Sequence, residues 1–232
     1  RLEQFTQDAS HELRTPLTAI RGNTALIEQY YADQLKEPEL KEMIVDINES
    51  AVRLISIVND FLDVSRLEMG KLEYKTVQID LTALVKNTIQ EYMTTGSIKN
   101  LYVKLADSIS AIKPVFADPD RVKQVLINLI GNAIKFTEKG GVTVKLENAP
   151  NFVKVLVSDT GRGIPEENQK LLFRRFQQTG SSLYTRDATK GTGLGLYISK
   201  MLIEGMGGKI DLESSDPQKG SVFAFTLPIK PV

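Results

Sequence analysis

Residues 40–65 read LKEMIVDINESAVRLISIVNDFLDVS. Within them Leu40, Ile44, Ile47, Ala51, Leu54, Val58, Phe61 and Ser65 alternate spacings of four and three, which is a heptad seam along a helix. Upstream, Leu13, Leu17, Ile20, Thr24, Ile27 and Tyr31 repeat the pattern. The polar stretch Ala32–Pro38 closes on a proline and separates the two helices. Two helices of this length cannot enclose a core alone. The simplest solution is a four-helix bundle made by two chains, so the pattern itself predicts a homodimer.

The style of the sequence changes at Gly70, which divides the chain into residues 1–70 and 71–232. From Lys75 onward, short alternating runs mix with shorter helical ones. Thr76–Ile79 reads as a strand, followed by Asp80 as N-cap of a helix to about Met93. Val115–Ala117 is a second short strand, and Asp118 caps a helix with Pro119 at its first position, running to about Thr137. Val142–Glu147 and Phe152–Ser158 alternate like paired strands. A helix around Leu194–Met206 and strands near Lys209–Glu213 and Val222–Leu227 complete the series. Helices mixed with antiparallel strands predict a two-layer α+β sandwich behind the helical hairpin.

Composition removes several classes. The chain of 232 residues balances 29 basic against 29 acidic side chains, so nothing electrostatic points to nucleic acid as a partner. No apolar run approaches the ~18 residues that a membrane span needs. Without cysteine there is no disulfide framework and no thiolate metal site. A soluble, cytoplasmic piece is expected, and Arg1 already inside a helical pattern suggests an upstream segment missing from this fragment.

The single histidine, His11, lies in Ser10-His11-Glu12-Leu13-Arg14-Thr15-Pro16-Leu17. With Leu13 and Leu17 inward, His11 sits about 200° from Leu13 around the axis and faces solvent. A neutral imidazole is a good nucleophile near physiological pH, and Glu12 is placed to accept its Nδ1 proton, leaving Nε2 to attack. A lone histidine is more often an ordinary core or surface residue, and Glu12 an ordinary solvated acid. Pro16 removes a backbone donor and is expected to kink the helix beside this site.

Three segments of the second half suit a nucleotide. In Asn128-Leu129-Ile130-Gly131-Asn132-Ala133-Ile134-Lys135-Phe136, the spacings put Asn128, Asn132 and Lys135 on one helix face. Amide oxygens suit Mg²⁺, Lys135 supplies a cation for phosphates, and Phe136 offers a ring to a base. Asp159-Thr160-Gly161-Arg162-Gly163-Ile164 places a carboxylate at a strand end, where it accepts an exocyclic amine, with glycines that let backbone approach a ring. Gly191-Thr192-Gly193-Leu194-Gly195-Leu196 opens a helix, and helix-start amides among glycines suit phosphate. Each segment alone also reads as a polar helix face or a plain loop. The polar stretch Gln177–Lys190 between the last two reads as a lid.

Taken in order, these segments resemble the sensor histidine kinases across essentially the whole chain. Ser10–Leu17 resembles the phosphoacceptor box, Asn128–Phe136 the asparagine box, and Asp159–Ile164 and Gly191–Leu196 the two glycine boxes. Phe173-Arg174-Arg175-Phe176 resembles the phenylalanine box, which in the family often carries a proline where Arg175 stands. The resemblance implies a dimerisation and phosphotransfer hairpin followed by a Bergerat-type ATP-binding domain. It implies ATP and Mg²⁺ as cofactors, with Asn132 holding the metal, Lys135 on phosphate, Phe136 beside adenine and Asp159 reading its amine. It implies that His11 is the phosphoacceptor, Glu12 the base and Thr15 a phosphatase residue, with a response-regulator receiver domain as partner. A hinge is then expected around Glu68–Leu72.

Two other classes compete. A gyrase-type ATPase shares the pocket but resembles this segment with a water-activating glutamate where Asn128 stands, and an amide accepts no proton at neutral pH. A non-catalytic dimeric scaffold would bind nucleotide only for regulation. The helix spacing also separates two activities. Thr15 follows His11 by four residues and shares its face. Thr15→Ala is therefore expected to leave autophosphorylation nearly unchanged and slow regulator dephosphorylation by roughly one to a few powers of ten. Glu12→Gln is expected to slow autophosphorylation instead. Both reactions measured on purified variants, with melting temperature as control, check this; equal loss of both in Thr15→Ala makes Thr15 a structural residue.

Overall fold

A computed structural model of the chain describes residues 2–31, 37–70, 72–107, 110–175, 177 and 193–231, without the side chains of 2–12, 94, 95 and 98. The chain divides into two compact units, one reaching from the N-terminus to Leu72 and one beginning at Glu73.

The first unit is a helical hairpin of α1 (Leu2–Tyr30) and α2 (Pro38–Glu68). Pro38 opens α2 at the position where its missing N–H costs nothing, and Gly70, at φ +64, follows its end. α1 continues through Pro16 as one helix. The heptad seam splits into two rows. Ile44 and Ala51 are buried, as is Thr24 of α1, whose hydroxyl donates to Ile20 O and Arg21 O at 3.1 and 2.9 Å. Leu40, Ile47, Leu54 and Phe61, the alternate members of the same seam, remain 46–52% exposed. Leu13, expected inward, is 53% exposed, because two helices cover only one row of each other. His11 and Glu12 lie on α1, and the orientation expected for the imidazole concerns side chains outside the described residues.

The second unit contains β1 (Val77–Ile79), α3 (Leu81–Ile98), β2 (Tyr102–Leu105), β3 (Val115–Ala117), α4 (Pro119–Phe136), β4 (Gly141–Asn148), β5 (Phe152–Asp159), α5 (Glu166–Gln169), α6 (Gly195–Gly205), β6 (Ile210–Asp216) and β7 (Gly220–Pro228). A five-stranded sheet, in the order β2-β4-β5-β7-β6, carries α3, α4 and α6 as its second layer, and β1 pairs with β3 in a small antiparallel ladder. The two-layer α+β sandwich expected from the sequence is the observed architecture. Alternation along β4 and β5 places Val142, Val144, Val153 and Val155 under the helices, where they meet Leu126, Ile130 and Phe225 in a fully buried core. Burying each such side chain contributes roughly 1.5–3 kcal/mol.

Two features depart from expectation. β2 was not anticipated, and it pairs parallel with β4, so the sheet is mixed rather than antiparallel. α3 also runs past Met93 to Ile98, because Gly96 in its last turn lets the helix lie against Leu101 and Val103. Both helix caps hold. Asp80 Oδ1 accepts from Thr82 N and Ala83 N at 2.9 and 3.1 Å. Asp118 Oδ1 accepts from Asp120 N and Arg121 N at 3.0 and 3.2 Å, and its Oδ2 from Lys75 N at 2.9 Å. Asp118 is buried and ties the segment entering the second unit to the start of α4. Asp118→Ala is expected to destabilise this unit by about 2–3 kcal/mol, and Asp118→Asn, which keeps the cap acceptor, by less. Urea denaturation followed on the second unit checks the order.

Candidate functional site

α4 is amphipathic, and its two faces do different work. Val122, Val125, Leu126, Leu129, Ile130, Ala133 and Ile134 are buried. Asn128, Asn132 and Lys135 lie half-buried on another side. The two asparagines touch, with Asn132 Nδ2 donating to Asn128 Oδ1 at 3.2 Å. Asn128 Nδ2 donates in turn to Ser199 Oγ of α6 at 2.9 Å. α6 begins at Gly195, and a Cβ there would collide with Asn128 Oδ1. Only a glycine lets the start of α6 lie directly on the asparagine.

The C-terminal end of α4 meets the other glycine segment. Arg162 N donates to Phe136 O at 3.3 Å, and a Cβ at Gly161 would strike the same carbonyl. Asp159 stands at the end of β5, its Oδ1 accepting from Gly161 N at 2.8 Å and Ser221 N at 3.3 Å. Burial pushes the Asp159 carboxyl above the usual carboxylate range, and the two backbone N–H groups partly offset this. Gly163 adopts φ +68, and Ile164 N donates to Ser215 Oγ at 2.8 Å, which itself meets Ser221 Oγ at 2.9 Å. The loop is thus fixed to the β6–β7 end of the sheet. α4 therefore joins the two glycine segments, one at each end of its polar side.

Phe136 is 37% exposed at the rim. The Arg162 guanidinium lies 4.9 Å from its ring centroid and Lys135 Nζ 5.2 Å, so the ring proposed for a base is also a platform for two cations. Leu194 is buried, and Gly193 and Leu196 are half-buried around the start of α6. Gly191, Thr192, Phe176 and 178–190 of the expected lid lie outside the described residues. Phe173 packs edge-on to Phe223, with centroids 6.4 Å apart. Arg175, where the family often has proline, places its guanidinium 5.1 Å from the Tyr197 ring centroid on α6. In the first unit, Thr15 is exposed one turn beyond His11 on α1.

Among the described residues no group of three His, Cys, Asp or Glu side chains converges as a metal site. The donor chemistry fits Mg²⁺ nonetheless. That ion takes one or two protein oxygens and fills its shell with phosphates and water. Asn132 Oδ1, which accepts no hydrogen bond among the described residues, is such an oxygen. Sequence reasoning missed Ser199, Ser215, Ser221 and Arg162. Ser199 alone left a signal, as a polar residue on the apolar side of α6.

Comparison with known proteins places this geometry. The family described as His Kinase A (phospho-acceptor) domain matches residues 1–70. The family described as Histidine kinase-, DNA gyrase B-, and HSP90-like ATPase matches residues 117–231. The circadian input-output histidine kinase CikA of Synechococcus elongatus is 39% identical over 230 residues, covering 97% of this chain and 30% of that protein. The chain thus spans under a third of this curated relative. The crystal structure of full-length ShkA in complex with AMPPNP superimposes with TM-score 0.79 at 30% identity, over 97% of this chain and 45% of that one. The catalytic domain of histidine kinase ThkA is 33% identical, with TM-score 0.58, over 69% of this chain and 100% of that one. The chain belongs to the sensor histidine kinases and comprises their catalytic core.

The raised Asp159 pKa sets a pH dependence. A carboxyl raised by the fold is one whose ionisation opposes folding. The penalty is absent below the unfolded carboxylate pKa and grows as pH rises from there through the folded value. Asp159→Asn keeps an oxygen for Gly161 and Ser221. It is expected to melt above wild type at neutral pH, with the gap closing towards about pH 3, while losing nucleotide affinity by roughly tenfold or more. Melting curves against pH, with nucleotide titration, check both signs.

Proposed function

We propose that this chain transfers the γ-phosphoryl group of ATP to His11 and then to an aspartate of a response-regulator receiver domain. The observation that carries the reading is the continuous contact along α4, which joins the asparagine box to both glycine boxes. In this reading Asp159 accepts the adenine amine, Lys135 faces phosphate, and Gly161, Gly163, Ile164 and Gly191–Leu196 line the nucleotide. Asn128 and Asn132 hold the polar side, with Asn132 as the oxygen ligand. Mg²⁺, when bound, neutralises charge on the phosphates. Glu12 holds the Nδ1 proton of His11, so that Nε2 forms the new N–P bond as the bond from γ-phosphorus to the bridging oxygen breaks and ADP leaves. Positioning and charge supply most of the acceleration.

Partnership follows from the same reading. ThkA, 29% identical over 98% of this chain and superimposing with TM-score 0.64, is known in complex with response regulator protein TrrA. The exposed row of Leu40, Ile47, Leu54 and Phe61 supports a second copy of the hairpin completing a four-helix bundle. Thr15 is read as the residue that orients water on a docked regulator's phosphoaspartate. ATP as phosphoryl donor puts the reaction in the cytoplasm, and no helix among the described residues is long and apolar enough to cross a membrane. The gyrase-type alternative is disfavoured because Asn128 offers an amide where a base is required, and because residues 1–70 match the phospho-acceptor family.

His11→Gln is expected to bind ATP with unchanged affinity and to take no label from γ-labelled ATP. Label on that variant which survives base and not acid, as phosphohistidine does, would show that His11 is not the acceptor.

A further inference from the structure

Ser199 lies on α6 outside every box and is 2% exposed. Its Oγ accepts from Asn128 Nδ2 at 2.9 Å, and Asn128 Oδ1 accepts from Asn132 Nδ2 at 3.2 Å. A primary amide carries an acceptor oxygen and a donor nitrogen at opposite corners of one plane. A hydroxyl both donates and accepts, so Ser199 anchors the Asn128 amide in its plane, and in the observed orientation the amide nitrogen lies on Ser199. With Ser199 on the nitrogen of Asn128, its oxygen turns to Asn132 and takes that residue's nitrogen. Asn132 Oδ1 is then the corner left over, and it accepts no hydrogen bond among the described residues.

We propose that Ser199 is a positioning residue that, through Asn128, holds the carbonyl oxygen of Asn132 in the orientation that ligates the Mg²⁺ accompanying the nucleotide. The inference rests on the reading of Asn132 as metal ligand. The direction lies in the contact between the two amides, which Ser199 holds together. If Asn128 turned over, its nitrogen would face the nitrogen of Asn132, and relief would require Asn132 to turn as well. Asn132 would then present N–H groups, which have no lone pair for a cation. Burial of Ser199 makes the arrangement durable, since no water competes for the Asn128 amide on that side. Gly195 closes the same junction from the start of α6. Partners that orient a metal ligand without touching the metal typically carry a 10–100-fold share of its affinity.

The test is equilibrium binding of trinitrophenyl-ATP to the full chain, in excess Mg²⁺ and in EDTA. The variants are Ser199→Ala, Ser199→Cys, Asn132→Ala and the Ser199→Ala/Asn132→Ala pair, with melting temperatures alongside. Cysteine fills the space of serine without a strong acceptor, so Ser199→Cys separates the hydrogen bond from any cavity. Wild type is expected to bind more tightly with Mg²⁺ than in EDTA, and Asn132→Ala to lose that gain. Ser199→Ala and Ser199→Cys are expected to lose roughly tenfold or more of the gain, with affinity in EDTA unchanged. The double variant is expected to be no worse than Asn132→Ala. Equal losses in Mg²⁺ and in EDTA, or additive losses in the double variant, would reduce Ser199 to a packing residue. An intact Mg²⁺ gain in Ser199→Ala beside a lost one in Asn132→Ala overturns the Ser199 inference alone. An intact gain in Asn132→Ala overturns the metal-ligand reading and the inference with it.

Discussion

α6 approaches α4 at Gly195 so closely that a side chain there would displace the Asn128 carbonyl oxygen, and the polar chain from Ser199 to Asn132 depends on that contact. It brings Ser199 within hydrogen-bond distance of Asn128 and, through Asn128, orders Asn132. The same helix, at its C-terminal carbonyls, receives the first glycine box through Arg162 N. α4 is therefore both core and site. Its Val122, Val125 and Ile130 anchor it in the sheet, and that anchoring holds the opposite face rigid for a ligand.

Rigidity here has an energetic cost that the fold tolerates. Asp159 is held where burial disfavours its charge, at a strand end whose register is set by seven pairings between β5 and β7. The loop behind it is pinned by hydrogen bonds from β6 and β7, the Ser215 hydroxyl accepting from Ile164 N and the Ser221 backbone N–H donating to Asp159. Such a carboxyl is stabilised most when a ligand donor reaches it. A site that opposes stability in isolation and is relieved by binding is a common feature of functional positions.

The hairpin solves a different problem. A seam with two apolar rows can bury one of them within a single chain, and Ile44 with Ala51 takes that place. The row of Leu40, Ile47, Leu54 and Phe61, with Leu13 and Ile20 across from it on α1, is left at the surface. So much aligned apolar area calls for a cover.

What the sequence determined by itself was local or periodic. The heptads of residues 13–31 and 40–65, the caps at Asp80 and Asp118, and the alternation of β4 and β5 all depend on near neighbours, so their signals survive in one dimension. The boxes were legible for a related reason, since each compresses several polar or glycine positions into one short segment. Only the tertiary structure decided the rest. β2 escaped notice because a four-residue strand acquires its identity from parallel pairing with β4, some forty residues away. That Leu13 would stay exposed depended on which seam row the partner helix covers, and periodicity treats the two rows alike. Ser199 showed in the sequence only as a polar residue on an apolar helix side, because it lies in no motif and its partner is an asparagine seventy-one positions earlier, reached when Gly195 lets two helices touch. Hydrogen-bond direction is a property of placed atoms, and spacing along a chain carries no record of it.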